Sequence, residues 1–309
     1  TEELPANFSH SVLNQFKSLI EFELDKKLIK FEDIFCTSTP RRIVLLLDGL
    51  VDQSEDEMII RKGPKASSGF IDGTPTKAAL GFANSLGIDV DDLEIKNTEK
   101  GDFVFGKKVR KGESTRILLS LIIPKAIKSL QGPRFMKWGN GNFKFSRPIR
   151  WLVSLYNNEI LDFSLDECDP NIEIGNISKS HRLINKIIEI NSPDNYFEIM
   201  AKNGVLVKRE ERKEKISQII NQSSESLNLN PDISDGLLNE LSDLVEFPNL
   251  IMGKFDEEFL DLPLEVLSTV MKSHQRYIPL LKKTNNFSKL DLSSEQTIST
   301  NFLLISNGF

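Results

Sequence analysis

Apolar positions in this chain switch between two periods, and each switch marks an element. Val12, Leu13, Phe16, Leu19, Ile20 and Leu24 share one helical face. Ile43-Val44-Leu45-Leu46-Leu47 is short and wholly apolar, the pattern of a strand buried on both faces. Lys62-Gly63-Pro64-Lys65 reads as a basic turn, and the Gly/Ser-rich segment to Gly73 as a mobile loop. Thr74-Pro75 opens a helix through Leu86, which Gly87 closes. Residues 132–157 read as a hairpin and then a helix. Phe135 to Trp138 and Phe143 to Phe145 alternate around Gly139-Asn140-Gly141-Asn142, and Pro148 stands where Ile149, Leu152, Val153 and Tyr156 begin a helical spacing, with Arg147 and Arg150 at its start.

Further along, residues 160–165 and 172–177 read as strands, and Ser192-Pro193 starts a helix that ends at Asn203-Gly204. The mixed-sign run 208–215 reads as a solvated helical face. Residues 233–274 read as mostly helical, with Leu237, Leu238, Leu241, Leu244 and Val245 on one face and Pro263 opening a later helix. Tyr277 to Leu281 and Phe302 to Ile305 are separated by a polar stretch, 284–300, expected to be an exposed loop. The expected fold is α+β, with mixed sheets and packed helices in two domains, 1–190 and 191–309.

Charge changes this picture in one place. The chain of 309 residues carries 39 basic and 45 acidic side chains, yet 114–158 contains no Asp or Glu and eight cations. They are Arg116, Lys125, Lys128, Arg134, Lys137, Lys144, Arg147 and Arg150. In an acidic protein such an island can gather phosphates, and the aromatics between the cations can stack on bases. The alternative is a sheet with its aromatics inward and its cations merely solvated. Trp138, Trp151 and Phe145 are expected to be chiefly structural.

Catalytic chemistry finds little support. Gly101 to Lys108 follows most of the phosphate-loop pattern, but Lys108 stands where Ser or Thr would hold magnesium, and Phe103-Val104-Phe105 reads as a strand of a hairpin. His10, His181 and His274 are scattered, and no Gly-x-Ser-x-Gly elbow occurs. Lys272-Ser273-His274-Gln275-Arg276-Tyr277 is the other dense polar cluster, fit for capping a helix end or for contact with RNA or a subunit. Cys36 and Cys168 are far apart, with neither a disulfide framework nor zinc spacing, and are expected to be reduced core residues. The apolar runs are too short to span a bilayer and no signal core opens the chain, so a cytoplasmic location is expected. The absent initiator Met and the abrupt last strand read as a piece cut from a longer chain.

Met136-x-Trp138 followed by Phe145-x-Arg147-Pro148-x-Arg150-Trp151-x-Val153-x-Leu155 resembles the β subunit of the bacterial two-subunit glycyl-tRNA synthetase. The resemblance extends through Thr39-Pro40-Arg41-Arg42, Lys62-Gly63-Pro64, Leu244-Val245-Glu246-Phe247-Pro248, Phe259-Leu260-x-Leu262-Pro263, Met271-x-x-His274-Gln275-x-Tyr277 and Ser306-Asn307-Gly308. The family usually reads Gly-His-Arg-Phe where this chain has Ser180-His181-Arg182-Leu183, and an aromatic at Ile278. What it implies is a tRNA-recognising subunit in an α2β2 heterotetramer, with glycine, ATP and Mg handled by a separate α subunit and no cofactor bound here. It further implies an N-terminal region partly similar to the B3/B4 domains of the phenylalanyl enzyme, ahead of HD-type and anticodon-binding domains. Candidate contacts for tRNA(Gly) or the α subunit are Arg134, Lys137, Lys144, Arg147, Arg150, His181, Arg182, Lys272, His274 and Arg276. Other readings are a nucleic-acid-binding or assembly module with no tie to aminoacylation, and a nucleotide-dependent enzyme using residues 101–108.

Overall fold

The computed structural model describes residues 1–283 and 297–309. Helices and several small sheets make an α+β architecture in two compact units. One comprises 21–33 and 48–122, the other 1–20, 34–47 and 123–309. The 190/191 boundary read from sequence falls inside the larger unit, and most of the expected loop 284–300 lies outside the described residues.

The smaller unit is built on a three-stranded antiparallel sheet in the order Glu57–Lys65, Gly101–Arg110, Glu94–Thr98. Residues 101–108 are thus a hairpin strand, continuous through Lys108, with no helix for a phosphate to cap. Lys62-Gly63-Pro64-Lys65, expected as a turn, instead ends the first strand with a register shift. The expected loop after it holds a single helical turn, Ala66–Gly69, and a small hairpin, Phe70–Ile71 with Thr74–Pro75. The helix Lys77–Leu86 starts one turn later than Thr74, because Thr76 is the residue whose hydroxyl accepts from the Ala78 amide at 3.2 Å. Ala79, Ala83 and Leu86 face inward, and a side chain at Gly106 would collide with Leu86, so the strand's glycine lets helix and sheet close.

In the larger unit a four-stranded antiparallel sheet, ordered Leu229–Pro231, Ile278–Lys282, Ile298–Asn307, Pro248–Lys254, packs on the helices Arg209–Ser226 and Asp235–Leu244. Ile216, Ile220, Leu237, Leu241, Ile278, Leu280 and Leu303 form its core. The strand Pro248–Lys254 interrupts the region expected to be helical, pairing along its whole length with the last strand. A second core gathers Ile188, Ile190, Met200, Val205 and Val207, under the helix Tyr196–Lys202 that follows Ser192-Pro193. The apolar run in Arg42–Asp48 is a strand, paired among the described residues only with Asp33–Thr39, and is half-buried, not covered on both faces.

The helix expected after Pro148 does not form. Leu152–Val153 pairs in parallel with Ile174–Gly175, and Leu155–Tyr156 turns through Asn157, at φ 53°, onto Glu159–Ile160. Asn157-Asn158 is a hairpin turn, and its demand for left-handed backbone outweighs a helical spacing of four apolar residues. Of the expected strands at 160–165 and 172–177, only Glu159–Ile160, Ile174–Gly175 and the start of Ile177–Lys179 are paired.

Candidate nucleic-acid interface

Within the basic island, Met136–Lys137 pairs with Lys144–Phe145 as a hairpin. Its glycines serve a close approach as well as a turn. Gly139 has φ 60°, and a Cβ there would lie 1.7 Å from the Asp169 carbonyl oxygen. The amides of Asn142 and Phe143 both donate to the Glu167 carbonyl, at 2.9 and 3.0 Å, which clamps the turn to the 167–169 backbone. Inward, Phe143 and Phe145 are buried, and Phe8, Phe135 and Phe145 meet with centroids 5.5 to 5.6 Å apart. Trp138 meets Phe143 edge-on and Trp151 is half-buried, so the aromatics fill a core or line its rim.

Outward, the register sets Lys137 directly opposite Lys144, and both are exposed. Like charges facing across a strand pair repel, so this arrangement costs stability. Lys137 donates to the Asn142 side chain at 2.8 Å, leaving its charge uncancelled. Arg134 precedes the hairpin in a left-handed conformation, φ 59°, that is rare for a side chain of its size. Arg147 follows, with one guanidinium nitrogen donating to the Ser146 carbonyl at 2.8 Å. These four cations have no carboxylate partner among the described residues. Arg150 differs, because Glu2 takes its guanidinium at 2.6 Å and Glu2's carboxyl is held below its usual range by that bond. Lys128 lies 3.7 Å from Glu167.

The remaining candidates are dispersed. His181 is fully buried: it donates from Nε2 to Asn307 Oδ1 at 2.9 Å and accepts the Leu183 amide at Nδ1, which makes it a structural residue in this fold. Arg182 pairs with Glu3 at 2.7 Å. Lys272 pairs with Asp232 at 2.8 Å and Arg276, at φ 56°, with Glu240 at 2.7 Å, on either side of exposed His274. This cluster's two cations are therefore largely neutralised where they stand.

Sequence reasoning missed a buried polar centre. Arg42 forms an ion pair with Glu246, both nearly inaccessible, and Thr39 donates to the same carboxylate oxygen at 2.6 Å. Asn307 Oδ1 accepts from the Glu246 and Phe247 amides as well as from His181. Arg212, in the middle of the run read as solvated, is 0% exposed and donates to the carbonyls of Leu206, Val207, Ser242 and Ser38 at 2.7 to 2.9 Å. Burial lowers it to about 10, which still leaves it charged at neutral pH. Burial also pushes the Tyr196 hydroxyl and the Cys36 thiol up to about 12. Among the described residues, no group of three or more His, Cys, Asp or Glu is arranged to hold a metal ion, and no helix is long and apolar enough to cross a membrane.

The segments that meet here, Thr39 to Arg42, Leu244 to Pro248 and Ser306 to Gly308, are among those that carry the family resemblance. Comparison with known proteins bears on it directly: a sequence profile described as the glycyl-tRNA synthetase beta subunit matches residues 1–309. The chain belongs to that family. The glycine–tRNA ligase beta subunit of Trichodesmium erythraeum is 43% identical over 309 residues, covering 100% of this chain and 42% of that protein. The Synechocystis protein of the same name is 40% identical over 284 residues, 92% of this chain and 39% of its own. That of Clostridioides difficile is 36% identical over 309 residues, 99% and 43%. This beta-subunit chain thus spans about two fifths of the length of the curated relatives it matches.

Proposed function

We propose that this chain is the tRNA-engaging region of a glycine–tRNA ligase beta subunit, working with a separate catalytic alpha subunit that handles glycine, ATP and Mg. The observation that carries the proposal is the family match over residues 1–309. The hairpin supports it physically. A chain of net charge −6 repels a polyanion at long range, so contact needs a local reversal of sign, and Arg134, Lys137, Lys144 and Arg147 supply one without acidic partners among the described residues. Tolerating Lys137 opposite Lys144 is consistent with a site whose charge is relieved by a bound phosphate.

Among the described residues there is no constellation for activating an amino acid, and the chain is proposed to be inactive without the alpha subunit. An α2β2 assembly in the cytoplasm and a partial likeness to B3/B4 domains belong to the same reading. The test is aminoacylation of tRNA(Gly) by full-length beta chain with alpha subunit, comparing the parent with the double variant Lys137→Glu, Lys144→Glu. If about four cations neutralise phosphates, log affinity falls with log salt at a slope of roughly −3 to −4, and the variant weakens binding and flattens that slope. A folded variant with the parent's affinity and slope would remove the hairpin from the tRNA surface, and glycine-dependent pyrophosphate exchange by the isolated chain would refute the division of labour.

A further inference from the structure

The sheet of the smaller unit has one covered face and one open one. On the covered side Gly106 lies beside Leu86, and Val104 is buried. Register places the following on the other side: Met58 opposite Val109, Ile60 opposite Lys107, Lys62 and Glu94 flanking Phe105, and Lys65 and Lys96 flanking Phe103. Met58, Ile60 and Val109 are 62%, 51% and 50% exposed.

Charge on this face is inverted relative to the acidic chain. Four lysines stand against one glutamate, and Glu94 is already engaged by Lys107 and by Lys96 at 3.4 Å. The ammonium groups lie over the rings: Lys62 Nζ is 3.4 Å from the Phe103 centroid, and Lys96 Nζ 5.8 Å from that of Phe105.

We propose that this open face binds unpaired nucleotides of RNA, with bases lying on Phe103 and Phe105 and phosphates taken by Lys62, Lys65 and Lys96. A lysine resting on a ring in the free protein needs only side-chain rotation to leave that ring for a phosphate, and each base has a face to stack in its place. Unpaired strands suit the surface because a duplex keeps its base faces stacked internally and offers only its backbone. A protein partner suits it poorly, because lysines are depleted from the centres of protein interfaces, where burying them costs desolvation. The face belongs to the smaller unit and the 136–145 hairpin to the larger, and the proposal stands or falls independently of the hairpin.

The experiment is fluorescence anisotropy of the chain 1–309 with a labelled, unstructured RNA of about ten nucleotides, a length such a groove can cover. The parent is compared with the double variant Lys62→Glu, Lys96→Glu and with the hairpin double variant, each checked by thermal melting. The sheet-face variant should lose about tenfold or more in affinity, as expected when two phosphate contacts become repulsive. An RNA duplex should compete poorly, and 4-thiouridine in the probe should photocrosslink to the strands carrying Phe103 and Phe105. If the charge reversal unfolds the protein, Lys62→Gln with Lys96→Gln carries the same expectation with a smaller loss. Parental affinity in a folded variant, crosslinks confined to the hairpin, or equal competition by duplex would overturn the proposal while leaving the hairpin reading intact. So would concentration-dependent self-association that the sheet-face variant abolishes, since that marks a protein-binding face.

Discussion

The cations of the 136–145 hairpin and those around Glu246 carry the same sign of charge and are held in opposite ways. Lys137 and Lys144 face each other in solvent with no carboxylate among the described residues to cancel them. Arg42 and Arg212 are sealed from water, one neutralised by Glu246 and the other ringed by four carbonyl oxygens. The first arrangement tolerates repulsion and leaves charge available to a ligand. Because a charge taken out of water must be compensated or the fold loses several kcal/mol, the second uses most of its donors to hold backbone segments together, leaving the buried Arg42 Nε without a partner among the described residues. Positive charge in a sequence therefore has two meanings here, and only solvent exposure separates them.

Breaking the buried half should give the largest effect. Arg212→Leu removes the donor shared by the Leu206, Val207, Ser242 and Ser38 carbonyls and should cost about 3–5 kcal/mol in chemical denaturation, as loss of one partner in a buried charged network does. A loss below about 1 kcal/mol would show that water replaces the guanidinium, and the contrast with the hairpin would fade. Next comes Glu246→Gln, which leaves Arg42 charged and buried without its carboxylate and should cost about 3 kcal/mol. The double variant Arg42→Met, Glu246→Leu should be less destabilised than Glu246→Gln alone, and an additive result would mean that the two side chains do not act as a pair.

Gly139→Ala addresses what positions the exposed cations. With φ at 60° and the Asp169 carbonyl in the way, it should cost about 1–3 kcal/mol and speed hydrogen exchange at the Asn142 and Phe143 amides. Unchanged exchange there would mean the turn is held by something other than the 167–169 backbone. The smallest change in stability belongs to Lys137→Glu, and its sign is reversed. Turning a like-charge cross-strand pair into an opposite one should stabilise the fold by about 0.2–1 kcal/mol while weakening RNA binding. A variant that gains stability and keeps the parent's RNA affinity would make the lysine pair a mere surface feature.

Much of this was readable in the chain itself. The 136–145 hairpin follows from alternation around Gly139-Asn140-Gly141-Asn142, the helix ending at Leu86 from its terminal glycine though its cap is Thr76 and not Thr74, and the strand at 101–108 from the Phe103-Val104-Phe105 run, which with Lys108 disqualified a phosphate loop. The acid-free island was visible from charge alone, and the family likeness from the identity of residues in short segments such as Thr39 to Arg42 and Leu244 to Pro248. These are local properties: backbone preferences of Gly and Asn, a two- or four-residue period, the sign of neighbouring side chains.

Tertiary structure decided the rest, because it rests on partners distant in sequence. Pro248–Lys254 is a strand because Ile298–Asn307 lies beside it, and Leu152–Val153 a strand because Ile174–Gly175 does, whatever spacing their own residues show. Arg212 sits among charged neighbours that are exposed or half-exposed, and it is buried because the Ser38 and Ser242 carbonyls arrive from elsewhere to accept its hydrogen bonds. The same holds for Glu246, which meets Arg42 from more than two hundred residues away. Composition and period record what a segment prefers on its own. Which charges remain in water is settled only when the chain closes around them, since burial is a property of the surroundings and not of the residue.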